Sequence, residues 1–137
     1  MAGSVSFELL DGILEFTMVG NLEVEDVVAG IARATTSLEG SGPFPVITDM
    51  AQASFPDAGL SDVKMASDAA SAEPRVLGSR RAIVVGEGAT VGVAKVAAVV
   101  ARVWHGDDVE VFTSLDEARQ WVLAPPQAVG EDDSPST

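Results

Sequence analysis

Beyond residue 20 the chain alternates between stretches with helically spaced apolar residues and short aliphatic runs, and this alternation limits the folds open to it. The runs are Phe44-Pro45-Val46-Ile47, Arg81-Ala82-Ile83-Val84-Val85 and Val109-Glu110-Val111-Phe112. Each is too short for a helix and mostly apolar, as buried strands are. The first ends at Asp49 and passes through a loop with Pro56 and Gly59. Between the runs, Val24, Val27, Val28, Ile31, Thr35 and Leu38 share one helical stripe, and Leu60, Val63, Ser67 and Ala70 make a thinner one. The pattern predicts helices over Val24–Leu38, Leu60–Ala72 and Val91–Trp104, with a fourth after Ser114. Such alternation implies parallel pairing through right-handed crossovers.

The start of the chain reads differently. Val5 to Leu9 and Leu14 to Val19 alternate apolar with polar and flank Asp11-Gly12. Asp-Gly suits a two-residue hairpin turn because both positions tolerate positive φ. The expected fold class is therefore α/β: a mixed five-stranded sheet, opened by an antiparallel hairpin and continued by parallel strands, with four helices. Residues 1–124 form a single domain on this reading, and 125–137 a disordered acidic tail. Mobility is expected from Ala51 to Ser79, around the weakest helix.

Charge narrows the function. The 137 residues carry 21 acids against 8 bases, a net charge of −13. Nucleic-acid binding depends on lysine and arginine displacing counterions from phosphates, so this surface argues against it. No apolar run reaches the roughly 18 residues that cross a membrane. No basic-then-apolar leader opens the chain, so a cytoplasmic protein is the expectation. There is no cysteine and only one histidine, His105, which rules out the usual zinc sets.

The chemistry-bearing residues do not add up to a reaction. His105 at a helix end reads as a capping or dipole-compensating residue. Asp107 and Asp108 read as a solvated turn, since the other spaced oxygens of a calcium loop are missing. Gly86-Glu87-Gly88-Ala89-Thr90-Val91-Gly92 opens a helix after a strand, but its spacing is loose and Glu87 would repel a pyrophosphate. Gly92 is read there as permitting close packing. Asp49 reads as a local acceptor for the turn that follows it. A Ser54–His105–Asp49 triad can be written, but a chain of this composition always offers one. No catalytic, cofactor or metal residue is assigned.

The opening hairpin, Val46-Ile47-Thr48-Asp49-Met50, the Arg81–Val85 strand and the closing Val109-x-Val111-Phe112…Glu117-Ala118…Trp121 pattern resemble the SpoIIAA-like proteins of the STAS superfamily. The resemblance runs from about Val5 to Leu123. It implies a non-catalytic domain acting through protein partners, with binding of an apolar or lipid-like small molecule as the alternative. In the anti-sigma-factor-antagonist branch a kinase phosphorylates a serine in a D-S-x-G-L loop. Here Asp57-Ala58-Gly59-Leu60 places Ala58 at that position, one residue short of the pattern, so that switch cannot operate at Ala58. Ser54 and Ser61 flank it. The expected partner-binding loop is Asp49, Ser54, Asp57 and Ala58. The almost uncharged third helix supplies an expected homodimer or apolar-ligand face at Val96, Val100 and Trp104.

Overall fold

The computed structural model describes residues 3–56, 59–86 and 89–124. Strands β1 (Ser4–Leu10) and β2 (Ile13–Asn21) pair antiparallel about Asp11 and Gly12, both at positive φ. Then follow α1 (Val24–Ser37), β3 (Phe44–Ser54), α2 (Leu60–Ser71), β4 (Leu77–Val84), α3 (Ala89–Val100), β5 (Asp108–Phe112) and α4 (Leu115–Leu123). The sheet order is β1-β2-β3-β4-β5, with every pair after the first parallel. This is the expected mixed sheet with four helices.

Consecutive parallel strands laid down in one direction by right-handed crossovers must put their helices on one face. Residues of α1, α2 and α3 accordingly share a core with Leu14, Phe16, Met18, Val46, Met50 and Ile83. The strand period turns Ile13, Ile47, Ala82 and Val84 to the opposite face, where Ala118 and Val122 of α4 cover them. Three helices thus lie on one side and one on the other.

Several boundaries move. Strand β3 runs five residues beyond Asp49, and its register shifts against β2 between Thr17 and Val19, with one extra residue on β3. Such a bulge bends the strand that carries the extra residue. Asp49 supports it, its Oδ1 accepting the Ala51 N–H at 3.1 Å, which is the local acceptor role expected of it. The stretch from Ala51 to Ser79 thereby includes the end of β3, α2 and the start of β4. The helix after α3 widens into a π-helix, Ala101–His105, closed by Gly106 at φ 70°, the left-handed cap the sequence suggests. Close backbone approach falls at Gly86, not Gly92. A Cβ on Gly86 would stand 3.0 Å from the Ala51 carbonyl oxygen, whereas one on Gly92 would meet nothing.

Each edge strand has a backbone carbonyl held by an arginine. Arg33 of α1 donates to Val5 O of β1 at 2.7 Å, and Arg102 donates to Val109 O of β5.

Candidate functional site

The thin stripe on α2 has a structural consequence. Where a helix normally presses large aliphatics onto a sheet, α2 offers Val63, Ala66, Ser67 and Ala70. These short side chains do not fill the space above the sheet, and a cavity of about 220 Å³ remains between α1, α2, α3 and the strands. Phe16, Met50 and Ile83 line it from the sheet, Val27 and Ile31 from α1, and Ala97 from α3. Protein interiors are otherwise close-packed.

Glu23 and Glu25 are the exposed lining residues, so the mouth lies at their end, beside Asp62. That end holds the beginnings of α1 and α2 and the carboxyl ends of β2 and β3, where open α/β sheets receive ligands. Both helix starts are occupied by the chain's own carboxylates. The Glu23 N–H donates to Asp26 Oδ2 (2.9 Å) and the Gly59 N–H to Asp62 Oδ2 (3.0 Å). One polar side chain of α2 is unmatched: Ser67, 8% exposed, has a hydroxyl that is fully buried and has no hydrogen-bond partner among the described residues.

Below the cavity, Arg81 is buried on β4 and borders the hollow. Burial pulls its guanidinium below the ordinary value, and the Asp107 carboxylate beside it acts in the opposite direction. Asp107 Oδ2 accepts from Arg81 Nη2 and from Ser71 Oγ, both at 2.7 Å. Asp107, its side chain 12% exposed, is therefore the counter-ion of a buried arginine and not the solvated turn residue its sequence context suggested; Asp108 is half exposed and paired with Arg80. His105 Nε2 lies 2.7 Å from Asp68 Oδ1, and Lys64 Nζ lies 2.7 Å from Asp68 Oδ2. The hydrogen bonds from Lys64 and then His105 hold the Asp68 carboxyl below its usual range.

The residues of the written triad are engaged separately. The Ser54 hydroxyl donates to Asn21 Oδ1, Asp49 is turned onto Ala51 N–H, and His105 is on Asp68. Asp57 and Ala58 of the expected loop lie outside the described residues. On α3, Val96 is 40% exposed while Val100 is buried at 6%; the Trp104 side chain is outside what is described. The cavity is lined from α3 by Val93 and Ala97, not by Val96 or Val100. Val96, Val99 and Val103 instead form an exposed strip. The hollow itself was not foreseen from the thin stripe that contains Ser67. A polar residue at a core-facing helical position was the available signal.

Neither a protein-family model nor a curated protein matches the chain. Solved structures do, among them the following two. One is an uncharacterised protein of the DUF3478 family with a SpoIIAA-like fold from Shewanella loihica PV-4, 19% identical over 88% of this chain and 93% of that one, with a TM-score of 0.59. The fold is SpoIIAA-like. The other structure is an anti-sigma factor antagonist from Mycobacterium paratuberculosis, 16% identical over 90% of this chain and 96% of that one, with a TM-score of 0.62. In this SpoIIAA-like fold the cavity lies under the three-helix face. No described helix is long and apolar enough to cross a membrane.

Proposed function

We propose that the protein is a cytoplasmic, non-catalytic interaction domain that docks a protein partner at the loop end of its sheet. The observation that carries this reading is Leu60, 67% exposed as the first residue of α2, with Met65 at 48% further along the same helix. Large apolar side chains that open beside a loop mark contact surfaces. The likeness of the fold to an anti-sigma factor antagonist supports it. So does the engagement of Ser54, Asp49 and His105 in separate structural contacts. Docking is constitutive, because Ala58 has no hydroxyl to phosphorylate. A second copy of the chain is the candidate partner for the Val96–Val99–Val103 strip.

A photoreactive side chain at position 60, compared with one at the exposed Gln120 on α4, tests the docking face. Trapping of one discrete partner at 60 but not at 120, abolished by Met65→Glu, supports the reading. Equal trapping at both positions, or none at 60, overturns it.

The cavity favours a second reading, an apolar small molecule as ligand. At about 220 Å³ it exceeds the roughly 150 Å³ that admits benzene, yet it is too small for a long acyl chain. The ligand is thus compact, not lipid-sized. Native mass spectrometry of the gently purified full chain tests it. A retained compound of low mass supports the reading, and a protein that shows no uptake from a panel of small aromatics overturns it.

A further inference from the structure

We propose that the hollow beneath α2 takes an apolar amine, its hydrocarbon body inside and its protonated head among the carboxylates of the mouth. This rests on the second reading above and names the chemistry of the ligand.

The body follows from the lining. Phe16, Met50, Val27, Ile31 and Ala97 surround the hollow, and its volume of about 220 Å³ suits an aromatic ring with a short arm. The head follows from the charges at the opening. Glu23 and Glu25 line the hollow and are exposed, and Asp62 lines it from α2. Asp26, also exposed, accepts the Glu23 N–H at the same helix start. No ion pair among the described residues involves any of these four carboxylates. A cleft with low-dielectric walls and charges of one sign concentrates their field and draws in counter-ions. The hollow makes the site, and the rim selects the head that sits at its opening.

Helix starts normally attract anions, but here the Glu23 and Gly59 N–H groups donate to Asp26 and Asp62. Arg81 is the one base among the described lining residues. It stands opposite Val46 and Val109 in the sheet register, near the beginnings of β3 and β5, whereas the mouth lies at the carboxyl ends of β2 and β3. Its charge is set against Asp107 at 2.7 Å, so it does not offset the carboxylates of the mouth. An anionic head drawn down to Arg81 would have to pass Glu23, Glu25 and Asp62. A protonated amine stays among those three and leaves its apolar end in the hollow.

The probes are 2-phenylethylamine, 2-phenylethanol and phenylacetate, which share a ring and a short arm and differ in charge. They are titrated into the full chain near neutral pH, where the amine is protonated, and followed by methyl NMR at Val63, Ala66 and Ala70. The amine is expected to bind about tenfold tighter than the alcohol, and the carboxylate more weakly than either. Glu23→Gln with Glu25→Gln should cut amine affinity about three- to tenfold and leave alcohol binding unchanged. Glu8→Gln with Glu117→Gln removes the same charge from β1 and α4, away from the hollow, and should leave the amine within about twofold, because salt screens distant charges. Amine and alcohol binding alike, or equal losses in the two double variants, overturns the proposed head-group chemistry while leaving the hollow as a ligand site. So does phenylacetate binding as tightly as the amine, which would seat the head at Arg81. Silence of all three methyl reporters with every probe overturns the cavity reading itself.

Discussion

Arg119 and Glu15, 104 positions apart, meet in a forked contact that fastens α4 to the sheet: Nε to Oε2 at 2.8 Å and Nη2 to Oε1 at 3.1 Å. Glu15 is 8% exposed, so Arg119 is what makes its burial tolerable. The same bonds raise the Arg119 guanidinium above its ordinary value. Arg119→Ala should destabilise the protein by about 1.5–3 kcal/mol in urea unfolding, the range for hydrogen bonds to a charged group. Arg119→Lys keeps the charge but not the fork and should fall between the two. An Arg119→Ala protein as stable as the parent would show that Glu15 finds another partner.

Asp107 poses a sharper case. It is the counter-ion of Arg81, and the two side chains are 12% and 9% exposed. Asp107→Ala leaves a buried guanidinium uncompensated and should cost about 3–5 kcal/mol. Replacing both partners with apolar residues, Arg81→Met with Asp107→Leu, should recover most of that loss. A double variant no better than Asp107→Ala would place the stabilisation in Ser71, the third member of the cluster.

Asp68 supplies a pH signature. Its folded-state carboxyl titrates below the ordinary 3.8, so its contribution is complete above that value and is lost as the pH falls through the lower, folded value. The stability gap between the parent and Asp68→Asn should therefore narrow as the pH falls below 3.8. Urea midpoints across that range measure it. A gap that widened on acidification would contradict the assignment.

Ser67→Ala should stabilise the ligand-free protein by about 1 kcal/mol, because it removes a buried hydroxyl that lacks a partner among the described residues. A rise in the thermal midpoint is the expected result. A fall would mean that the hydroxyl is satisfied, by ordered water for example.

Gly30→Ala sets two effects against each other. Alanine gains about 1 kcal/mol over glycine inside a helix. Here, however, its Cβ would stand 2.5 Å from Val5 Cγ1 and 3.2 Å from Val5 Cβ, and a branched side chain on a strand has little room to turn away. Overpacking of this kind costs about 1–3 kcal/mol. Net destabilisation is expected by calorimetry, and a neutral or stabilised variant would show that β1 moves aside.

The elements were legible where the chemistry is local. Asp11-Gly12 announced the hairpin because both residues tolerate positive φ, and Ser114 announced α4, its hydroxyl accepting the Glu117 N–H at 3.3 Å. Contacts between distant segments were not legible. Glu15 sits among alternating residues as though on a wet face, and only the folded chain shows α4 above it. Trp121 packs against a tilted Phe112 ring at 5.6 Å and under the Arg80 guanidinium at 3.8 Å, partners on two other elements. The candidate site was half visible. The weak stripe of α2 stood out in the sequence, but the hollow also needs the spacing of α1 and α3 across the sheet.

The two arginines on the outer strands bear on how the molecule behaves in a crowd. A sheet border normally invites another chain to extend it, and Arg33 and Arg102 each keep a carbonyl of that border occupied from within the same polypeptide. Growth by strand addition is thereby discouraged at both ends, which leaves encounters with other molecules to the helices and loops.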